Sequence, residues 1–205
     1  MNTERLTVIT ITYNNFDDLT KTIESIPCNP QIKIFVVNGG DCPKTQKYLQ
    51  EKKETISLEF ISEPDHGISD AFNKGIKNTS TEFIQFINSG DVLINRDYQQ
   101  EAINFLCSHP IYTYVHSNIL LSLNSDQQKT LSPRGSNIGK GMPFLHPSLI
   151  MKKDVFSEVG GFDNNYKVAM DFDLAVRMYS KNYQGKFFNI TSIHMLEPGI
   201  SVTNE

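Results

Sequence analysis

"SEPDHGISDAFNKGIKNTSTEFIQFINSGD", residues 62–91, changes its hydrophobic period twice. It starts where a short apolar strand, LEFIS (58–62), gives way to the polar run EPDHG. Ile68, Ala71, Phe72 and Ile76 then fall at helical spacing, which predicts a helix over 68–76. EFIQFI (82–87) returns to an apolar run of strand length and halts at Gly90-Asp91. Strand, polar turn, helix and strand in close succession are the pattern of a parallel sheet covered on both faces.

The same alternation extends toward the N-terminus. LTVITI (6–11) is a β-branched strand, and the segment 16–26 places Phe16, Leu19, Ile23 and Ile26 on one helical face. Asn14 or Asn15 is positioned to cap that helix by accepting a backbone N–H. IKIFVV (32–37) is the next strand, followed by the turn NGGD and a polar helix from Pro43 to Lys53, with proline in its first turn. Polar or glycine-rich clusters therefore follow four successive strands: TYNN, NGGD, EPDHG and NSGD. Open α/β sheets bind ligands outside the carboxyl ends of their strands, so these clusters outline one site.

The second half is less regular. Residues 100–108 read as a helix, 112–123 as one or two strands, and 124–141 as a mobile glycine-containing loop. HPSLIMKKDVF resumes order, GGFD is a turn, and 171–182 is an amphipathic helix through Phe172, Ala175, Val176 and Tyr179. A last strand covers 186–194. No repeat or linker divides the chain, so one domain over 1–205 is expected.

The chain has 205 residues, 39% hydrophobic and 20% charged, with a net charge of −4. That balance suits a soluble globular protein and lacks the basic stripe of a nucleic-acid binder. Three cysteines without a paired motif point to small buried thiols in a reducing compartment. The apolar run near the N-terminus is too short for a signal peptide or a membrane span, which gives a cytoplasmic expectation.

Asp91 is the first residue with a chemical reading. A carboxylate beside a glycine at a strand end can meet Mg²⁺ or Mn²⁺, which take one or two carboxylates together with substrate phosphates. Asn, Ser, Gly and Asp are equally ordinary turn formers. Residues 62–91 alone leave both readings open.

The quoted segment resembles a signature of family 2 inverting glycosyltransferases of bacterial capsule, exopolysaccharide and lipopolysaccharide synthesis. Their pattern is approximately S-E-P-D-x-G-I-Y-D-A-M-N-K-G-I, followed by a strand closing on N-S-D-D. Here Ser69 stands where the family often has Tyr, Phe72 replaces Met, and Gly90 replaces the first aspartate of the final pair. The resemblance extends to TVITITYNN, VVNGGD, the stretch from Gly141 to Met178 and EPGISV (197–202). It implies a GT-A fold: a Rossmann-like α/β nucleotide-binding half (1–95) and an acceptor-binding half (96–205) around one central, mostly parallel mixed sheet.

The resemblance also implies roles. Thr12, Tyr13 and Asn14 would line the base and ribose pocket, with Tyr13 as a stacking surface. Asn38, beside Gly39, occupies the place of an aspartate that contacts the base. Asp65, Gly67, Asp70, Asn73, Lys74, Ser89 and Gly90 would surround the donor, a UDP-sugar foremost. Asp91 would hold a divalent cation, Mn²⁺ or Mg²⁺, with His194 a second candidate ligand. Asp171 aligns with the catalytic base, and His146 and Asp173 with the acceptor or diphosphate side. The acceptor would be a saccharide or a lipid-linked saccharide, with peripheral membrane association.

Each role has a plainer counterpart. Asp70, Asp171 and Asp173 are also ordinary helix-start acids. Lys74 could be a surface lysine, His146 a packed core histidine and His66 a solvated loop residue. Arg134 or Lys140 could reach phosphate from a closing loop, or belong to an ordinary flexible one. A catalytically weak GT-A domain that binds a nucleotide sugar or a partner is the second functional reading. No G-x-G-x-x-G or Walker-type element supports another nucleotide enzyme.

Overall fold

The run after Arg5 has no polar period because both faces of its strand are covered. In the computed structural model, which describes residues 3–123, 126–135 and 138–196, β1 (Leu6–Thr12) is buried along almost its whole length. The element resembled by EPGISV lies outside the described residues. β1 pairs in parallel with β2 (Ile32–Asn38) on one side and β4 (Phe83–Phe86) on the other, and β2 pairs in parallel with β3 (Leu58–Ser62). Between them run α1 (Phe16–Ser25), α2 (Pro43–Lys52) and α3 (Ile68–Lys77). The quoted segment thus folds as strand, helix and strand, and α3 packs on β1 and β2.

The chain next leaves this parallel unit. Residues 87–90 cross to β5 (Asp91–Leu93), so Asp91 opens a short new strand and does not close the preceding one. α4 (Tyr98–Ser108) leads to β6 (Tyr112–Ser122), β7 (Gln128–Leu131) and a 3₁₀ turn at Ile138–Lys140. β7 falls inside the stretch expected to be a mobile loop. A second 3₁₀ turn (His146–Ser148), β8 (Ile150–Lys152), α5 (Asp154–Val159), α6 (Met170–Ser180) and β9 (Gln184–Met195) complete the described chain.

All the described strands share one sheet, in the order β3-β2-β1-β4-β8-β6-β9-β5, with β7 on the far end of β6. The pairing is parallel through the first four strands, as strand–helix alternation predicts. Antiparallel pairing enters with β8 beside β4, and β5 runs antiparallel to β9. This α/β sheet with helices on both faces is the expected fold class.

Three local expectations differ. Asn15 donates to Asp18 Oδ2 at 2.9 Å, and Asn14 accepts from the start of α2, so neither caps α1 by side chain. α6 buries Met170, Leu174, Ala175 and Met178, and leaves Phe172, Val176 and Tyr179 exposed. The buried stripe lies one step round the helix, where Met170, Leu174, Ala175 and Met178 join the core cluster of Phe144, Phe156 and Phe162. Cys28 and Cys107 are exposed, not buried, and no cysteine is paired. None of the described helices is long and apolar enough to cross a membrane.

Candidate functional site

The carboxyl ends of β1, β2 and β3 border a cavity of about 480 Å³ lined by Tyr13, Gly39, Gly40, Ser62, Pro64 and Asp65, among others. Tyr13 is 71% exposed and carries an unused aromatic face here. Asn14 adopts a left-handed conformation (φ 51°), and its Oδ1 accepts the N–H groups of Asp41 and Cys42 at 3.1 and 3.2 Å. It ties the loop after β1 to the start of α2. A Cβ on Gly39 would lie 1.9 Å from Asp65 Oδ2, so only glycine lets Asp65 fold over the turn. Asp65 Oδ1 also accepts the Gly67 N–H at 3.0 Å.

Asn38 is fully buried beneath this cavity, not in its wall. Its amide donates to Gly40 O and Ser62 Oγ at 3.1 and 3.2 Å, while Oδ1 accepts the Gly40 N–H. An aspartate could not make the two donor bonds, which gives the amide a structural reason. Thr12 is likewise buried, and its carbonyl accepts the Gly39 N–H at 3.0 Å.

α3 begins between this cavity and a second one, with Gly67 before it at φ 113°. Asp70 accepts the His66 N–H at 2.9 Å and lies 3.2 Å from Lys74 Nζ. The His66 bond, aided by Lys74, holds the Asp70 carboxyl below its usual range despite partial desolvation. Lys74 also donates to Pro64 O at 2.6 Å and sits 3.3 Å from Glu63, so it clamps the 63–66 loop onto the helix. Asn73 donates to Phe162 O at 2.8 Å and accepts the Phe162 N–H at 2.9 Å, buckling α3 to the GGFD turn. Asn73 and Lys74 are therefore brought to the site's frame and not to either cavity wall.

The second cavity, about 260 Å³, brings Asn88, Asp91, His146, Lys167 and Asp171 together, with Ile68 and Phe72 from α3. Asp91 is 6% exposed, and burial pushes its carboxyl up to about 7, opposed by a 3.3 Å bond from the Asn88 N–H. Gly90 (φ 104°) turns the chain and donates its N–H to Thr22 Oγ1 at 3.0 Å. Ser89 Oγ donates to Asn15 O at 3.3 Å. These bonds anchor the turn on α1 and present Asp91 from below.

Asp171 sits in the first turn of α6, directly after Ala169 at φ 62° and the buried Met170. A left-handed alanine is strained, and such strain gathers where a helix start must be aimed. His146 stacks against Phe72 and Phe86, each with centroids 5.2 Å away, and neither ring nitrogen has a partner. Burial pushes this imidazole down, with the negative charge of Asp171 opposing. A neutral, pre-oriented histidine beside Asp171 results.

Asp173 and His194 also lie off the cavity walls. Asp173 accepts Arg177 Nε and Nη2 at 2.9 and 2.6 Å and does not line the cavity. His194 does not reach Asp91. Met195 pairs with Asp91 and lines the cavity, so His194 points to the other sheet face, where it meets Ser122 at 2.8 Å. Neither Arg134 nor Lys140 lines the cavity beside Tyr13 or the one that holds Asp91 and Asp171.

The donor set near Asp91 accommodates a hard cation. Asn88 Oδ1 is a buried acceptor without a partner, beside the Asp91 carboxylate in one cavity. Among the described residues, no three acidic, histidine or cysteine side chains are placed to hold a metal ion by themselves. One carboxylate and one amide oxygen suit a cation whose remaining ligands are phosphates and waters.

Sequence reading passed over several of these residues. The sequence assigns no site role to Asn88, a turn former, or to Lys167, the one lysine or arginine among the described residues lining this cavity. Gln85 is fully buried in β4, donates to Pro147 O at 3.0 Å and accepts from Gln99 at 2.8 Å. This pair fixes the turn that carries His146. The one available signal was a glutamine inside an otherwise apolar strand.

Residues 7–158 match the family model described as glycosyl transferase family 2. An uncharacterised glycosyltransferase of Mycobacterium tuberculosis is 25% identical over 179 residues, covering 84% of this chain and 68% of the relative. The crystal structure of Staphylococcus aureus TarS 1–349 in complex with UDP-GlcNAc superposes with a TM-score of 0.78 at 15% identity, over 95% of this chain. The mannosyltransferase PcManGT of Pyrobaculum calidifontis, in complex with GDP-Man and Mn²⁺, gives 0.73 at 16% identity over 96%. This chain spans 59% and 58% of those two chains.

Proposed function

The chain belongs to glycosyl transferase family 2, and from that premise we propose that it moves a sugar, with inversion, from a nucleoside-diphosphate sugar to a hydroxyl acceptor. A UDP-sugar is the foremost donor, the acceptor is a saccharide or lipid-linked saccharide, and the setting is surface-polysaccharide assembly in the cytoplasm at the membrane's inner face. TarS and PcManGT, crystallised with UDP-GlcNAc and with GDP-Man and Mn²⁺, support a nucleotide-sugar donor. The observation that carries the reading is the meeting of Asp91 and Asp171 in one cavity, from a strand start and a helix start far apart in sequence.

The cavity beside Tyr13 and Gly39 takes the nucleoside, with the tyrosine ring against the base. The sugar and diphosphate then cross the start of α3 toward Asp91. When bound, a divalent cation, Mn²⁺ or Mg²⁺, would neutralise charge on the departing diphosphate. Asp91 and Asn88 Oδ1 would hold it there, and Lys167 adds positive charge on the same wall. Asp171 accepts the acceptor's hydroxyl proton as the acceptor oxygen bonds to the anomeric carbon from the opposite face. The bond from that carbon to the phosphate oxygen breaks, and its electron pair leaves with the nucleoside diphosphate. His146 offers a neutral ring N–H to an oxygen in the cavity.

Two measurements test this. Asp171→Asn keeps metal-dependent nucleotide binding and loses transfer by about 10²-fold or more; full transfer by that variant removes Asp171 as the base. A thermal-shift panel of nucleotide sugars with and without Mn²⁺ stabilises the protein with one nucleotide series. No response to any of them favours the second reading, a catalytically weak or inactive GT-A domain.

A further inference from the structure

A third cavity, about 670 Å³, lies between the C-terminal end of α6, the first half of β9 and the start of β6. Phe144 lines both this cavity and the one that holds Asp171, so the two are neighbours across one ring. None of the roles assigned above uses it.

Its walls have an unusual chemistry. Among the described lining residues there is no acid, lysine or arginine. Tyr114, His116 and Phe187 form a continuous aromatic wall, with successive ring centroids 5.8 and 5.4 Å apart. Tyr179 and Phe187 stand at the rim with 54% and 39% of their surface exposed. The amide residues Asn182, Gln184 and Asn189 also line it, with Gln184 Nε2 donating to Asn182 O at 3.1 Å and Asn189 Oδ1 accepting from Asn118 Nδ2 at 3.5 Å. The wall is built in place: a Cβ on Gly185 would lie 2.1 Å from the Tyr114 ring, so a glycine backbone seats that ring.

His116 supplies a second, independent sign of a ligand. It is 8% exposed, lines the cavity, and its Nδ1 has no hydrogen-bond partner. Burial pushes the imidazole down to about 4, so the ring is neutral. A buried polar atom left unpaired costs stability unless something that enters the cavity pairs with it.

We propose that this cavity is a second binding site that holds neutral sugar rings of a glycan, away from the ring that reacts at Asp171. A sugar has an apolar C–H face and a hydroxyl edge. Aromatic faces match the first, and side-chain amides, which donate and accept at once, match the second. The lack of charge disfavours phosphates, carboxylates and sulfates, and the volume is of the size that encloses a small ligand. The wall chemistry calls for a saccharide by itself. Only the statement that this saccharide is the acceptor chain rests on the proposed transferase function. The site would then hold the acceptor's far sugars while its terminal hydroxyl enters past Phe144.

The test is binding of the full chain to an immobilised panel of neutral di- to tetrasaccharides of glucose, galactose, mannose, rhamnose and N-acetylglucosamine, with sialylated and sulfated glycans alongside. At least one neutral glycan binds without nucleotide or Mn²⁺, and saturation-transfer NMR places its C–H protons against the protein. Phe187→Ala and Tyr179→Ala, both at the partly exposed rim, weaken that binding about tenfold and leave nucleotide-sugar binding unchanged. His116→Phe keeps a ring, loses the nitrogens and weakens it as well. Absence of any neutral binder, preference for anionic glycans, or undiminished binding by the rim variants overturns the proposal. Glycan binding retained by a protein that ignores every nucleotide sugar would overturn the transferase reading and leave this site standing.

Discussion

Asp91 is the residue at which stability and function conflict. Its carboxyl is pushed up to about 7, so at neutral pH a nearly buried acid is half charged without an opposite charge beside it. Against an ordinary value of 3.8, that shift corresponds to about 4 kcal/mol of stability lost once the group is fully ionised. Asp91→Asn removes the charge at almost the same volume. We expect it to raise the melting temperature at pH 8 by several degrees while abolishing Mn²⁺-dependent nucleotide binding; the check is paired thermal melts and nucleotide titrations. His146 contrasts with it, since its stacked ring is neutral without help and its free nitrogens face the same cavity.

Among the elements, α3 is the hinge pin of the site. A Cβ on Gly75 would lie 2.5 Å from Ile9 Cγ2, and Ile9 is fully buried in the central strand. Alanine in a helix interior gains about 1 kcal/mol over glycine, but overpacking a filled core costs about 1–3 kcal/mol. Ile9 has no free space to enter, so overpacking wins. Gly75→Ala should lower the urea midpoint, and should also weaken nucleotide binding because the displaced helix carries the Lys74 clamp on the 63–66 loop. A second prediction concerns the other side of α3. Asn73→Ala severs both bonds to Phe162 and costs about 1–3 kcal/mol. It should reduce transfer more than nucleotide affinity, as read from a full kinetic comparison, because the GGFD turn leads to the helix that carries Asp171.

For the molecule as a whole, buried groups titrate against one another. The raised Asp91 contributes stability that is present below about pH 4 and lost as pH rises through about 7. His116 works the other way. Its value falls from 6.5 to about 4, so its contribution is present above about pH 6.5 and lost as pH drops toward 4, worth about 3 kcal/mol. Burial of His146 acts in the same direction as His116. The slopes of Asp91 and His116 oppose each other between about pH 4 and 6.5, so stability depends on pH less steeply there than the two histidines alone would make it. In Asp91→Asn one slope is gone, and denaturant unfolding at pH 5, 6, 7 and 8 should show a marked loss of stability on acidification. A variant as flat as the parent would contradict this arrangement.

The sequence by itself determined the first half of the fold. Residues 58–91 alternate between strand and helix periods, and local period and turn chemistry suffice to specify parallel strand–helix units. It also marked Asp91 and Asp171 as carboxylates of interest and placed the polar clusters at strand ends. Only the tertiary structure decided which of the marked residues face a cavity. Asn38, Asn73, Lys74, Asp173 and His194 carry polar chemistry at suitable positions, yet each is engaged by a neighbour distant in sequence or by its own turn or helix. Lys167 and Asn88 look ordinary in sequence and line the cavity. The antiparallel insertion of β8 and the return of β9 beside β5 were equally invisible, since strand pairing across so many residues depends on which edges remain open once the parallel unit has formed. Side-chain partners are set by contacts distant along the chain, and a one-dimensional pattern does not encode them.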